Sequence, residues 1–165
     1  MKETLFIISL CMYLLPGHNI PLQKVEKNGM LVSWEEKGEY LEFEVSAPSQ
    51  GWLAVGFNEE EGLAGTHLIM AAVRGKSVHL SDRFILKAGD HRALSELGVG
   101  EKLELISGEE NASGSRVSFR IPKLSQDDYH KNLLPASSFH MLMAYSREDD
   151  FTHHSMMRTS VKITI

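Results

Sequence analysis

The side chains best equipped for chemistry gather in "DDFTHHSMMRTSVKITI", Asp149 to Ile165. Imidazole nitrogens of His153 and His154 and thioethers of Met156 and Met157 are donors that can hold a transition metal or a haem iron. Arg158 adds a rigid fork of N–H donors suited to a carboxylate or a sugar hydroxyl. In an extended chain His153 and His154 point opposite ways, so only one of them is expected to face a given pocket. A second set lies in "THLIMAAV". There His67 shares a strand face with Ile69 and Ala71, and Met70 lies on the other face. Met141 and Met143 alternate along "FHMLMAYS". Thioethers select Cu(I), but methionines in apolar strands usually serve as core filler.

Such residues need a scaffold, and the pattern is that of strands. "YLEFEVSA" sets Leu41, Phe43 and Val45 on one face, "RVSFRI" does so with Val117, Phe119 and Ile121, and "SVKITI" with Val161, Ile163 and Ile165. This period of two marks half-buried strands. "GWLAVGFN" and "THLIMAAV" are apolar throughout, as strands covered on both faces would be. "GMLVSWEE", "KSVHLSDRFI", "EKLELIS" and "FHMLMAYS" complete about nine strands. Turn signals separate them, which argues for an antiparallel sandwich rather than a βαβ fold. "LSQDDYHKNLL" reads either as a helix, with Ser125 as N-cap, or as a long loop. Trp52 is expected to be buried if its strand is central, whereas Trp34 is less constrained, with an exposed aromatic as one reading.

The chain has 165 residues, 42% of them hydrophobic and 24% charged, with net charge −5. That fits one globular domain and excludes a basic nucleic-acid footprint. Met1-Lys2, the apolar run "LFIISLCMYLL" and Pro16-Gly17 have the form of a secretory signal. The run is shorter than the roughly 20 residues of a membrane span. The reading is a leader over 1–20 and a domain over 21–165, exported to a periplasm or the exterior. Cys11, the single cysteine, would leave with the leader, so the mature chain would hold no disulfide or thiolate site. After that cleavage no transmembrane segment is expected. No Gly-x-Ser-x-Gly elbow, His-x-x-x-His pair or phosphate loop occurs, so no enzyme activity is expected. "NEEEG", Asn58 to Gly62, reads as a solvated acidic loop.

"GWLAVGFNEEEGLAGTHLIMAAVRGKSVHLSD" resembles the DOMON domain. Gly51-Trp52 opens a strand, Gly56-Phe57 closes it, a loop reaches Ala64-Gly65, and the strand after the next turn ends in Ser81-Asp82. Near the chain's end His154 and Arg158 match a family pattern of a histidine shortly before an arginine and a last strand. The resemblance covers roughly residues 28–165. It implies an all-β, immunoglobulin-like antiparallel β-sandwich of about 9–11 strands. It further implies one of two roles. Some members bind b-type haem through a methionine and a histidine, in a pocket at one end of the sandwich, and pass electrons. Others bind sugars or serve as accessory modules beside oxidoreductases. Haem-binding members tend to carry the methionine in a Gly-Met-Ala-Gly loop, which here reads Gly62-Leu63-Ala64-Gly65. Leucine cannot ligate iron.

The expected function is therefore an exported module that binds haem b and transfers electrons to a redox partner protein. The alternative is a cofactor-free module that binds a small sugar or docks a partner. The expected cofactor-binding residues are His154, Met70, His67 and Arg158. His154 and Met70 are the expected iron ligands, with His67 and His153 as alternatives.

Overall fold

The structure, a computed structural model, describes residues 22–165. The expected leader and Cys11 lie outside the described residues. Eleven strands form: β1 Gln23–Lys27, β2 Met30–Lys37, β3 Tyr40–Ala47, β4 Leu53–Asn58, β5 His67–Arg74, β6 Ser77–Lys87, β7 Asp90–Ala93, β8 Glu104–Asn111, β9 Gly114–Pro122, β10 Ser138–Tyr145 and β11 Met157–Thr164. A 3-10 turn spans Leu94–Leu97. The strands build two antiparallel sheets, ordered β1-β2-β3-β9-β8 and β11-β10-β4-β5-β6-β7. The expected sandwich is present. Among the described residues no helix is long and apolar enough to cross a membrane.

Period-two alternation fills the space between the sheets. Leu41, Phe43 and Val45 of β3 and Val117, Phe119 and Ile121 of β9 meet Val55, Phe57, Ile69, Met141 and Met143 across it. Aromatic rings add shape: Phe43 packs on Phe119 at 5.5 Å and on Phe57 at 5.4 Å between centroids. Trp34 belongs to this core rather than to the surface, with its ring 6.3 Å from Phe43. A polar-looking sequence neighbourhood, "VSWEEKGE", hides it, because only the face matters in a strand.

Strands β4 and β5 are buried along almost their whole length, as their continuous apolar runs require. Their second faces form a separate cluster on the outer side of the six-stranded sheet: Trp52, Ala54, Leu68, Met70, Ala72, Ile85, Leu142, Ala144 and Phe151. Trp52 is buried as expected, but against this outer cluster rather than between the sheets.

"LSQDDYHKNLL" is a loop, not a helix. Asp127 Oδ1 accepts the backbone N–H groups of Tyr129 and His130 (3.0 and 2.9 Å), and Asn132 Oδ1 accepts the N–H of Ser125 (2.7 Å). These side-chain bonds satisfy the backbone locally and compete with helical continuation. Leu133 anchors the loop in the core.

Candidate functional site: an apolar cavity on the outer sheet face

Register sets the floor of the site. Arg158 on β11 lies opposite Ala144, Ala144 opposite Ala54, Ala54 opposite Met70, and Met70 opposite Ser81. The row thus puts a cation, two small residues and a thioether side by side across four strands. Alanines at the centre leave a depression, walled by Trp52, Leu68, Ile85 and Leu142. Met70 is 2% exposed.

Three loops raise the rim. The β4–β5 loop contributes Leu63, the β6–β7 turn Gly89 with Asp90 and His91 at the start of β7, and the β10–β11 loop Thr152 to Ser155. The first loop is braced by Asn58, whose Nδ2 donates to the carbonyl of Ala64 (3.0 Å), and by Gly65, whose N–H donates to Ile85 O (2.8 Å). Gly65 has φ 85°, a backbone state open to glycine without strain. The third loop turns at Asp150, whose Oδ1 accepts the N–H of Thr152 (2.9 Å) while its carbonyl accepts that of His153 (3.0 Å). Ser146 Oγ donates to the carbonyl of His154 at 3.2 Å.

Four expected site residues therefore share one cavity: His154, His153, Met70 and Arg158. Both histidines reach its rim because the chain turns there, which removes the opposition an extended segment would impose. Leu63 lines the same cavity. The cavity lies on the outer face of the six-stranded sheet, not at one end of the sandwich. His67 does not join it. Its side chain lies on the inner face, 1% exposed, with Nε2 bonded to Asp82 Oδ1 at 2.7 Å. Pairing His67 with His154 on one iron would require two opposite faces of β5 to meet. Met156 is 47% exposed and does not line the cavity, and Met141 and Met143 are core.

His91 is a rim residue that the sequence reading missed. Its Nδ1 accepts from Arg83 Nε at 2.8 Å, while Arg83 Nη2 donates to the His91 carbonyl at 3.3 Å. Burial and the neighbouring Arg83 cation push the His91 imidazole below its ordinary value. Nδ1 is thereby committed as an acceptor, and the ring proton sits on Nε2, facing the Phe151 backbone. The ring braces the rim and offers no free lone pair. Arg83 itself is lowered by burial, against the pull of Glu96 and Glu101. Its guanidinium lies 5.9 Å from the Phe151 ring, whose other neighbour, His79, stacks at 4.6 Å.

The cavity holds about 150 Å³, and a second space of about 520 Å³, lined by Arg74, His79, Arg83 and Phe151, lies across Thr152, which borders both.

A family model of the DOMON domain matches residues 26–146. The chain is 23% identical over 118 residues to MOXD1 homolog 2 of Drosophila melanogaster, covering 72% of this chain and 15% of that protein. It thus spans a small part of that relative. Two solved structures share the fold. The cytochrome domain of Myriococcum thermophilum cellobiose dehydrogenase gives a TM-score of 0.61 at 10% identity, over 87% of this chain and 81% of that one. The cytochrome b domain of pyranose dehydrogenase from Coprinopsis cinerea gives 0.65 at 13% identity, with the same coverage of each chain.

Proposed function

Since this chain belongs to the DOMON domain family, we propose that its outer cavity takes a b-type haem and that the protein serves as an exported electron-transfer module without catalysis of its own. The observation that carries this reading is the meeting of Met70, His154 and Arg158 in one apolar cavity with Leu63. The donor set fits the group. A thioether on the floor and an imidazole on the rim are the ligand pair of cytochromes with raised potential. Apolar walls of Trp52, Leu68, Ile85 and Leu142 suit a macrocycle, and Arg158 suits a propionate. Both cytochrome domains that share the fold are consistent with it, and the volume sets one condition. About 150 Å³ is smaller than the 300–1,000 Å³ usual for cofactor sites. The exposed segment Thr152–Ser155 must swing outward to join the cavity to the space beyond Thr152.

A bound haem would supply one-electron chemistry. The chain's own residues would set its properties. Met70 would offer a soft, neutral ligand from a buried strand, His154 a harder one from the exposed rim, and the buried floor would exclude water. Asp150, Arg83 and His91 would hold the rim in place through the bonds described above.

The test is an absorption spectrum of the purified protein after haem addition. A shifted Soret band with saturable one-to-one binding is expected. His154→Ala should lose the low-spin spectrum, and His153→Ala should keep it. No Soret shift and no saturable binding would overturn the reading and bring forward a cofactor-free sugar-binding module.

A further inference from the structure

A second cluster of donors lies on the other face of β5. His67 from β5, Asp82 from β6 and His130 from the β9–β10 loop are 1%, 0% and 7% exposed. His67 Nε2 stands 2.7 Å from Asp82 Oδ1, and His130 Nε2 stands 2.9 Å from Asp82 Oδ2. The three ligand atoms lie within 4.8 Å of one another. We infer that this cluster is a structural site for a divalent d-block cation such as zinc, built from two imidazoles and the Asp82 carboxylate.

Two further observations support a built site. First, the outer support is already present. The Asp127 carboxylate holds His130 Nδ1 at 2.8 Å, which fixes the ring with Nε2 turned inward. Metal-ligating histidines are commonly held by a carboxylate in this way. Asp127 is itself held by Lys102 Nζ (2.8 Å) and Ser125 Oγ (2.6 Å). Secondly, Lys102 N–H donates to Asp82 Oδ2 (3.2 Å), so the carboxylate has a fixed orientation. His67 Nδ1, by contrast, is buried without a partner, so that ring lacks the outer support that His130 has.

The donor chemistry selects the ion. Two imidazole nitrogens and a carboxylate suit zinc and its neighbours, and they do not suit calcium or magnesium, which take oxygen ligands. His67 Nε2, His130 Nε2 and one Asp82 oxygen are three protein donors, and a small ligand such as water would complete the four-coordinate shell that zinc prefers. Complete burial of the ligands agrees with a structural rather than a catalytic role.

Protons now occupy the place of the ion. Burial opposes a charge on His130, but Asp82 and Asp127 outweigh it and raise the imidazole above its ordinary value. Burial likewise opposes ionisation of Asp82, yet the bonds from His130 and His67 hold its carboxyl well below the usual range. Metal bonds of roughly 2.0–2.2 Å require these protons to leave Nε2. The balance is simple. As the ion binds, any proton on each Nε2 leaves for solvent or for Nδ1 of the same ring, and His130 keeps its Nδ1–H on Asp127. The donors must then spread slightly around the ion, which the loop carrying His130 can follow. Bound, the ion would tie that loop to β5 and β6.

The test uses the full chain, freed of metal by a chelator and then dialysed against zinc. Retained zinc by mass spectrometry should be one per chain, with a raised Tm, because a ligand of the native state stabilises it. Cobalt should give the visible bands of a tetrahedral N/O site. His67→Asn and His130→Asn should lose the zinc, with folding checked by circular dichroism. Asp127→Asn keeps all the donors and should bind about 10–100-fold more weakly. His153→Ala/His154→Ala should bind as the parent does, which separates this site from the haem cavity. No retained zinc and no shift of Tm would overturn the inference. So would zinc that survives His67→Asn and His130→Asn, or an affinity unchanged in Asp127→Asn.

Discussion

Trp52 offers a quantitative check on the outer cluster. Its ring is 4% exposed, packed among Ala54, Leu68, Met70 and Leu142, and its backbone N–H and carbonyl are tied to Glu148 and Ser146. A buried tryptophan removes about 200 Å² from water. At about 25 cal/mol per Å² that burial contributes about 5 kcal/mol. Its Nε1 is buried without a partner, which takes back about 1 kcal/mol or more. Trp52→Ala should therefore cost about 3–4 kcal/mol, within the usual range for a core aromatic. Trp52→Phe discards the unpartnered N–H and keeps most of the ring, so its loss should be below about 1.5 kcal/mol. Urea melts followed by circular dichroism give both values. A loss below about 1 kcal/mol for Trp52→Ala, or a Trp52→Phe as damaging as Trp52→Ala, would refute the packing argument.

Other positions give sharper yes-or-no outcomes. Gly114 has φ 132°, and a Cβ there would meet the carbonyl oxygen of Ala47 at 2.0 Å. Gly114→Ala should cost about 3 kcal/mol, read by thermal or urea melts, since both strain and overlap act on backbone atoms. Arg83→Met removes a cation that disfavours the protonated His91 ring, so the His91 titration followed by NMR should move to higher pH. Met70→Leu should unfold within about 1.5 kcal/mol of the parent in denaturant. Added haem should then lose the weak far-red ferric band of thioether ligation.

The strands were legible because each residue's face is decided locally. Leu41, Phe43 and Val45 alternate with charged or polar neighbours, and β4 and β5 lack alternation because both their faces are covered. The burial of Trp34 was not legible because its neighbours in sequence point to the opposite face. His154 and Met70 could be proposed as partners only through a family resemblance, since cross-strand register brings them together. His130 carried no local signal at all. It meets Asp82 across 48 positions of sequence, and the segment around it looked helical until Asp127 took its backbone donors. His91 was likewise hidden, because its role depends on Arg83 from the neighbouring strand.

Strand β5 carries His67 on one face and Met70 on the other, and this makes the protein sensitive to parity. A slip of one residue along β4 or β6 would exchange the faces of every side chain on β5. The imidazole and the thioether would each turn to the wrong face of the sheet. Both proposed sites would be lost together, although no donor had been deleted. The loop from Glu59 to Thr66 can therefore change its sequence freely where it is exposed. A single-residue insertion beside His67 is another matter. Restoring the phase takes a second insertion or a bulge, so length variation in this family branch should come in compensated steps rather than singly.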